Sequence, residues 1–345
     1  MGEVLTPVLA RLVQRFDLAD DEIVGAARHI LTGAASEIEI AGFIVALRTK
    51  GETSSELAAI VRTMLEFSVA VAVGPSAIDT CGTGGDRSGT VNISTMGAII
   101  AAGAGVKVAK HGNRASSSQC GSADVLEALG IPIELGPEGV ARCVDEVGIG
   151  FCFAPRYHPA LRFVGPVRRA LGVPTTFNFL GPLANPARVT RQCVGVSDAR
   201  MAERVLQVLI ANGAQRAMVF CGDDGLDELT TTTTSHVFES RGAAITSYVL
   251  DPSALGLRIS QPDELSGGDA KFNAEAVHSV LGGELGAVRD ISVLNAAAAL
   301  QVADLAVDWE SGLAMAVSAL DSGAASSTLA RWRSTALDAA AGEVQ

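Results

Sequence analysis

The stretch from Ala77 to Gly130 constrains this chain more than any other, because it twice lays down the order short apolar run, polar loop, helix start. Ala77 and Ile78 form an apolar run that stops at Asp79, glycines follow at 82, 84, 85 and 89, and a helix-like run begins near Ser94. Val106 to Ala109 reads as the next short strand. Lys110, His111, Gly112, Asn113, Arg114, Ser116, Ser117 and Ser118 then crowd donors and positive charge into a second loop. Another helix opens at Ser122, with Asp124 in its first turn and Gly130 as its stop. Glycines let a backbone approach an anion, and the unpaired N–H groups of a helix N-terminus point toward it. Taken alone, the first loop is equally a tight turn. The second loop shifts the balance: two of the chain's four lysines, Lys107 and Lys110, lie here on a chain of net charge −12, and that local cationic knot asks for an anionic partner such as phosphate.

From Ser76 onward short apolar runs alternate with longer helical ones, which predicts an α/β fold with a mainly parallel sheet flanked by helices. The expected strands are Ile78, 106–109, 150–153, 193–196, 217–220 and 236–239. Ligands of such sheets bind outside the carboxyl ends of the strands, and the two loops just described leave such ends. Residues 7 to about 73 read instead as four helices: apolar residues recur at helical spacing, Thr53-Ser54-Ser55-Glu56 is a capping box, Gly33 and Gly51 are stops, and Thr6 with Pro7 reads as an N-cap and first helical residue. The expected division is a helical unit over 1–74, with a contribution from about 165–188, and an α/β unit over 75–345.

Composition narrows the function. An acidic chain without a basic face is not expected to bind nucleic acid. The six cysteines have no C-x-x-C pair, which argues against a zinc or redox motif, and reduced thiols fit a cytoplasmic protein. No run approaches the roughly 18 apolar residues of a membrane span, so no membrane association is expected.

The motifs GTGGD (82–86), NIST (92–95), KHGNRASSSQCGSADVLEALG (110–130), FNFLGPLANPA (177–187) and GLDELT (225–230), in that order, resemble those of the anthranilate phosphoribosyltransferases of tryptophan biosynthesis. The resemblance runs along nearly the whole chain. It implies transfer of the phosphoribosyl group of phosphoribosyl pyrophosphate to the amino group of anthranilate, with Mg²⁺ (two ions), in a homodimer formed through the helical domain. By the same resemblance Gly82, Gly85, Asp86, Thr90, Asn92, Ile93, Ser94 and Thr95 in the first loop hold the phosphoribosyl donor. Lys110, His111, Gly112, Asn113, Arg114, Ala115, Ser116, Ser117, Ser118 and Ser122 in the second do the same. Gly82, Asn113 and Arg168 would contact anthranilate, the arginine as a planar bidentate partner for its carboxylate.

Four carboxylates stand within six positions at Asp223, Asp224, Asp227 and Glu228, which is either a solvated acidic turn or a place for a cation. Asp227 and Glu228 match the family's metal-binding Asp-Glu pair, and Ser94 resembles a further metal ligand. Gly267-Gly268-Asp269 echoes the first Gly-Gly-Asp but reads as a turn and N-cap, and Asn295 as a packing or surface residue. Two rival readings are a pyrimidine-nucleoside phosphorylase-like enzyme, which gives no reason for the Asp-Glu pair, and a non-catalytic nucleic-acid-binding paralogue, which requires a basic groove.

Overall fold

The computed structural model describes residues 4–115 and 118–343. Its first four helices, α1 (Leu5–Val13), α2 (Asp20–Leu31), α3 (Glu37–Lys50) and α4 (Ser54–Glu66), form the bundle expected from the apolar spacing. Ser36 and Thr53 cap α3 and α4 by accepting from the N–H of Glu39 and Glu56. The start of α1 differs from expectation. The helix begins at Leu5 with Val4 in the capping position, so Thr6 and Pro7 lie inside its first turn, where proline's missing N–H costs nothing.

The α/β part follows in the order β1 (Asp79–Gly82), α5 (Ile93–Gly103), β2 (Val108–Gly112), α6 (Ser122–Ala128), α7 (Pro137–Glu146) and β3 (Ile149–Phe153). Short helices α8 (Ala154–Tyr157), α9 (Gly165–Leu171) and α10 (Phe177–Leu180) lead to β4 (Arg191–Gly195), α11 (Ala199–Ala211), β5 (Arg216–Gly222), β6 (Ser235–Arg241) and β7 (Ala244–Leu250). The chain closes with α12 (Ala270–Leu281), α13 (Ala287–Val302), α14 (Trp309–Asp321) and α15 (Ala324–Glu343). Five strands run in the order β1-β4-β5-β6-β7, and β2 pairs in parallel with β3 and meets β1 through a parallel bridge from Ile78 to Val108. Pairing is parallel as far as β5, whereas β6 and β7 are antiparallel.

Two departures from the sequence expectation have physical causes. The first strand does not stop at Asp79 but runs on to Gly82, because the Asp79 carboxylate is satisfied inside the fold by the His111 N–H at 3.0 Å and the Asn185 amide at 2.8 Å. The unexpected β7 is an edge strand whose side chains are mostly exposed, so its sequence lacks the apolar run that marks an interior strand.

Alternating side chains of the sheet feed two cores. Cys193, Met218, Phe220 and Val237 lie in the core that holds α5 and α13, while Val194, Ala217, Val219 and Cys221 lie in the one shared with α11 and the bundle. Val164, Val167, Phe177, Phe179 and Leu180, from the segment before β4, join the second core, so the bundle and the sheet share one apolar interior. The carboxyl ends of β1, β2, β4 and β5 therefore open on one edge of the sheet, with the bundle beside them. Among the described residues no helix is long and apolar enough to cross a membrane.

Candidate active site

The loop after β1 is shaped by its backbone. Gly84, Gly85, Arg87 and Gly89 all have positive φ (+70°, +84°, +59° and +65°), and the space a Cβ would enter at Gly84 and Gly85 is open. The chain therefore presents N–H groups on an exposed arch leading into α5. These donors are met from across the sheet by the acidic loop: the Gly84 N–H donates to Asp227 Oδ2 at 2.5 Å and the Ser94 N–H to Glu228 Oε1 at 3.1 Å. Asp227 approaches so closely that a Cβ at Gly82 would lie 2.2 Å from its Oδ2, and one at Gly195 would lie 1.7 Å from its carbonyl oxygen. Gly82 and Gly195 are thus required by the seat of Asp227 at the ends of β1 and β4. Nothing local in the sequence marks Gly195, since its close neighbour Asp227 comes from a distant loop.

Asp227 and Glu228 are both buried. Burial raises the proton affinity of Asp227, and the neighbouring Asp86 adds to it. Burial does the same to Glu228, with Asp227 adding and Lys110 opposing. A buried cluster of like charges lacking full compensation fits a divalent cation. Among the described residues no three His, Cys, Asp or Glu side chains form a ready-made cage. That suits Mg²⁺, which keeps waters and substrate phosphate oxygens in its shell.

Asp223 and Asp224 have a different role. Asp224 accepts from the Leu226 N–H at 3.1 Å and the Thr230 hydroxyl at 2.8 Å, and Asp223 accepts from the Thr234 hydroxyl and lies 3.0 Å from His236 Nε2. They shape the turn that delivers Asp227 and Glu228. Leu229, the next residue, is clipped by Asn295, whose Oδ1 accepts from the Leu229 N–H (3.1 Å) and whose Nδ2 donates to the Leu229 carbonyl (2.9 Å). Read from sequence as packing, Asn295 is instead the anchor of the acidic loop. An asparagine inside the apolar run from Val293 to Leu300 was the available signal.

Around α5, Ile93 is in the core, while Thr95 is buried with its hydroxyl unpartnered. Asn92 stands at the N-cap position, and Ser88 and Thr90 follow Asp86 on the exposed arm of the loop. In the second loop Lys110 is buried, its Nζ donating to the Thr80 carbonyl (2.7 Å) and the Ser94 hydroxyl (3.3 Å). Its charge lies beneath the junction of the two loops.

Asn113 and Ser122 are joined through the Asn113 carbonyl, and Ser122 packs against Gly112. Ala115 donates its N–H to Asp124, and the Ser118 hydroxyl reaches the Cys120 carbonyl at 3.4 Å. Arg114 pairs with Asp124 and Glu127 and lies 5.6 Å over the Phe153 ring, so in this structure its charge is already spoken for. Ser116 and Ser117 lie outside the described residues.

His111 and His158 meet with ring centroids 5.2 Å apart and planes tilted by 52°, and both are buried, each with an unpartnered Nε2. Burial, reinforced by His158, pushes His111 down to about 3 against a hydrogen bond with the Gly181 backbone; burial pushes His158 down to about 4. Both are neutral at pH 7. Arg168, half-buried on α9, gives one hydrogen bond to Asn178 Oδ1 at 3.3 Å, leaves its Nε without a partner and has no acidic partner among the described residues. Burial lowers its proton affinity. A guanidinium fork held ready and uncompensated is suited to an incoming carboxylate. Asn185 ties this side of the molecule to the sheet, donating to both Asp79 and the Ala109 carbonyl at 2.8 Å.

A helical bundle beside an α/β domain, with two glycine-bearing loops at the strand ends facing an acidic pair, is the architecture of a two-domain glycosyl transferase. The chain matches the glycosyl transferase family α/β domain over residues 74–326 and the family's helical bundle domain over residues 6–68. It is 49% identical over 342 residues to the anthranilate phosphoribosyltransferase of Salinispora arenicola, covering 96% of this chain and 97% of that relative. Identity to the enzyme of that name from Nocardioides sp. is 51%, over 94% and 96% of the two chains. The crystal structure of the Thermus thermophilus anthranilate phosphoribosyltransferase superposes with a TM-score of 0.90 at 38% identity, covering 95% and 98%. That of the Saccharomyces cerevisiae enzyme in complex with PRPP and Mg gives 0.90 at 25% identity, covering 98% and 99%. The chain belongs to the anthranilate phosphoribosyltransferase family.

Proposed function

We propose that the chain transfers the phosphoribosyl group of phosphoribosyl pyrophosphate to the amino nitrogen of anthranilate, releasing pyrophosphate, in tryptophan biosynthesis. The observation that carries this reading is the buried Asp227-Glu228 pair set against the donors of the glycine loop and the first turn of α5. Mg²⁺, two ions in our reading, would be held by Asp227, Glu228 and the Ser94 hydroxyl, and supplies charge neutralisation on the leaving pyrophosphate.

The remaining chemistry belongs to the chain. The acceptor nitrogen is a weak nucleophile because its lone pair is delocalised into the ring, so the reaction is helped by early departure of the pyrophosphate. As the C–N bond forms at the anomeric carbon, the C–O bond breaks with its electron pair, and the nitrogen loses a proton to water. Gly82, Gly85, Asp86 and Thr90 with Asn92–Thr95 would hold the donor together with Lys110–Ser118 and Ser122 of the second loop. Arg168, Asn113 and Gly82 would orient anthranilate, and positioning of this kind replaces a dedicated acid–base pair. His111 remains a neutral neighbour, since a group pushed down to about 3 takes up protons poorly near neutrality.

Exposed Val13, Phe16, Ile38 and Val45 on the bundle support a homodimer formed through that unit, and six free, buried cysteines support a cytoplasmic setting. The test is direct. Anthranilate fluorescence should fall only when protein, phosphoribosyl pyrophosphate and Mg²⁺ are all present. Consumption of phosphoribosyl pyrophosphate without loss of that signal would assign the protein to another acceptor.

A further inference from the structure

The second Gly-Gly-Asp, which the reaction leaves unused, lies directly against the first loop. Thr90 and Ser266 form an antiparallel bridge, the Gly267 N–H donates to the Gly89 carbonyl at 2.8 Å, and the Val91 N–H donates to the Leu265 carbonyl at 3.1 Å. A Cβ on Gly267 would lie 2.5 Å from the Thr90 carbonyl oxygen and 2.8 Å from the Val91 nitrogen, contacts with backbone that no rotamer change relieves. Asp269 caps α12 through the Phe272 N–H at 2.8 Å, which places Asn273, buried, one turn into the helix.

The side chain of Asn273 has only one consistent orientation. Its Oδ1 accepts from the Gly268 N–H at 2.8 Å, so its Nδ2 faces Asn92, whose Oδ1 accepts at 2.8 Å; the Asn92 amide then donates to the Cys120 carbonyl at 3.2 Å. A backbone donor at one end and a backbone acceptor at the other fix both amides between them. The relay joins three elements: α12, the N-cap of α5 and the end of the second loop.

We infer that residues 265–269 with Asn273 are a positioning strap for the phosphoribosyl pyrophosphate site. The tip of the glycine loop stands in open space, so the strap fixes where the loop ends and α5 begins, and through Cys120 it sets the spacing of the two substrate loops. The inference rests on the donor-site reading given above. Asn273 touches neither substrate in this account and acts through Asn92.

Asn273→Asp keeps the acceptor for the Gly268 N–H but opposes a carboxylate oxygen to Asn92 Oδ1. Flipping Asn92 only moves the conflict to the Cys120 carbonyl. The expected result is about five- to tenfold weaker phosphoribosyl pyrophosphate binding by calorimetry with Mg²⁺, the scale of one lost hydrogen bond, with the KM for anthranilate changed less than about twofold. Gly267→Ala, measured in parallel, should weaken the donor likewise and decides alone if Asn273→Asp does not fold.

Val277→Ala, a core truncation on the same helix, is the stability control and should lower the melting temperature without moving donor affinity. Donor binding within twofold of the parent in the folded strap variants, or an equal loss in Val277→Ala, overturns the strap. Gly85→Ala in the same series separates the two readings: if it too binds like the parent, the donor-loop assignment itself has failed, whereas loss in Gly85→Ala alone removes only the strap.

Discussion

Asp227 and Glu228 are adjacent, buried carboxylates, yet the same kind of substitution should have unequal effects on them in the metal-free protein. Asp227 meets Asp86 and Glu228 and has one backbone donor, while Glu228 is opposed to the buried Lys110 as well as to Asp227. Asp227→Asn keeps an oxygen for the Gly84 N–H, removes two repulsions and can donate to Asp86. The sign follows from linkage. A carboxyl whose proton affinity is raised on folding adds nothing below its unfolded value near 3.8, costs stability progressively as pH rises from there to its raised folded value, and costs a constant amount above it. Each tenfold displacement of proton affinity is worth about 1.4 kcal/mol, so partial relief of the pair should stabilise Asp227→Asn by about 2 kcal/mol at pH 8. For a chain of this size that is a rise of roughly 3 °C in melting temperature. Glu228→Gln relieves the same burial and like-charge repulsion but also strips the Lys110 ammonium of a counter-charge, so its gain at pH 8 should be smaller than that of Asp227→Asn. The assay is thermal melting in chelator at pH 6 and pH 8. An Asp227→Asn variant that melts below the parent at pH 8, or gains as much at pH 6, would refute like-charge repulsion as the state of this site. Donor binding in Mg²⁺ should still be weakened in both variants, because each loses an oxygen proposed to hold the metal.

Arg168→Lys retains the charge but not the fork, and should raise the KM for anthranilate about tenfold with donor affinity little changed; a fall in donor affinity instead would move Arg168 to the other substrate. His158 is neutral when folded, with its pKa near 4 against 6.5 when free, so its contribution is present above about 6.5 and lost as pH falls toward 4. His158→Gln should flatten the acid limb of a melting-temperature profile by about 2 kcal/mol, and an unchanged limb would contradict the buried neutral pair. Asn295→Ala leaves the Leu229 N–H and carbonyl unpaired, and chemical denaturation should show a loss of about 1–3 kcal/mol; a loss under 0.5 kcal/mol would show that Leu229 finds other partners.

The bundle was legible because its helices carry local signals: capping residues at Ser36 and Thr53, stops at Gly33 and Gly51, and apolar spacing between them. The parallel strands were legible as short apolar runs. What sequence concealed was pairing over distance. Asp79 reads as the end of a strand until Asn185, 106 residues away, supplies its hydrogen bond. Gly195 looks like an ordinary strand glycine until Asp227 packs on it, and β7 lacks an apolar face because it is an edge. The site followed the same rule. The glycine loop announced itself by composition, but nothing local to Asn273, Asn295 or the second Gly-Gly-Asp says which loop each one holds.

The central claim is that one donor site is built from the glycine loop, the first turn of α5 and the Asp227-Glu228 pair. Crystals of the protein grown with phosphoribosyl pyrophosphate and Mn²⁺ in place of Mg²⁺ test it most directly, since the anomalous signal of manganese locates the metal without reference to the chain. The account predicts a peak about 2.2 Å from a carboxylate oxygen of Asp227 or Glu228, with the pyrophosphate on the N–H groups of Gly82–Asp86 and the start of α5. A peak elsewhere, or a pyrophosphate bound away from that loop, would contradict it.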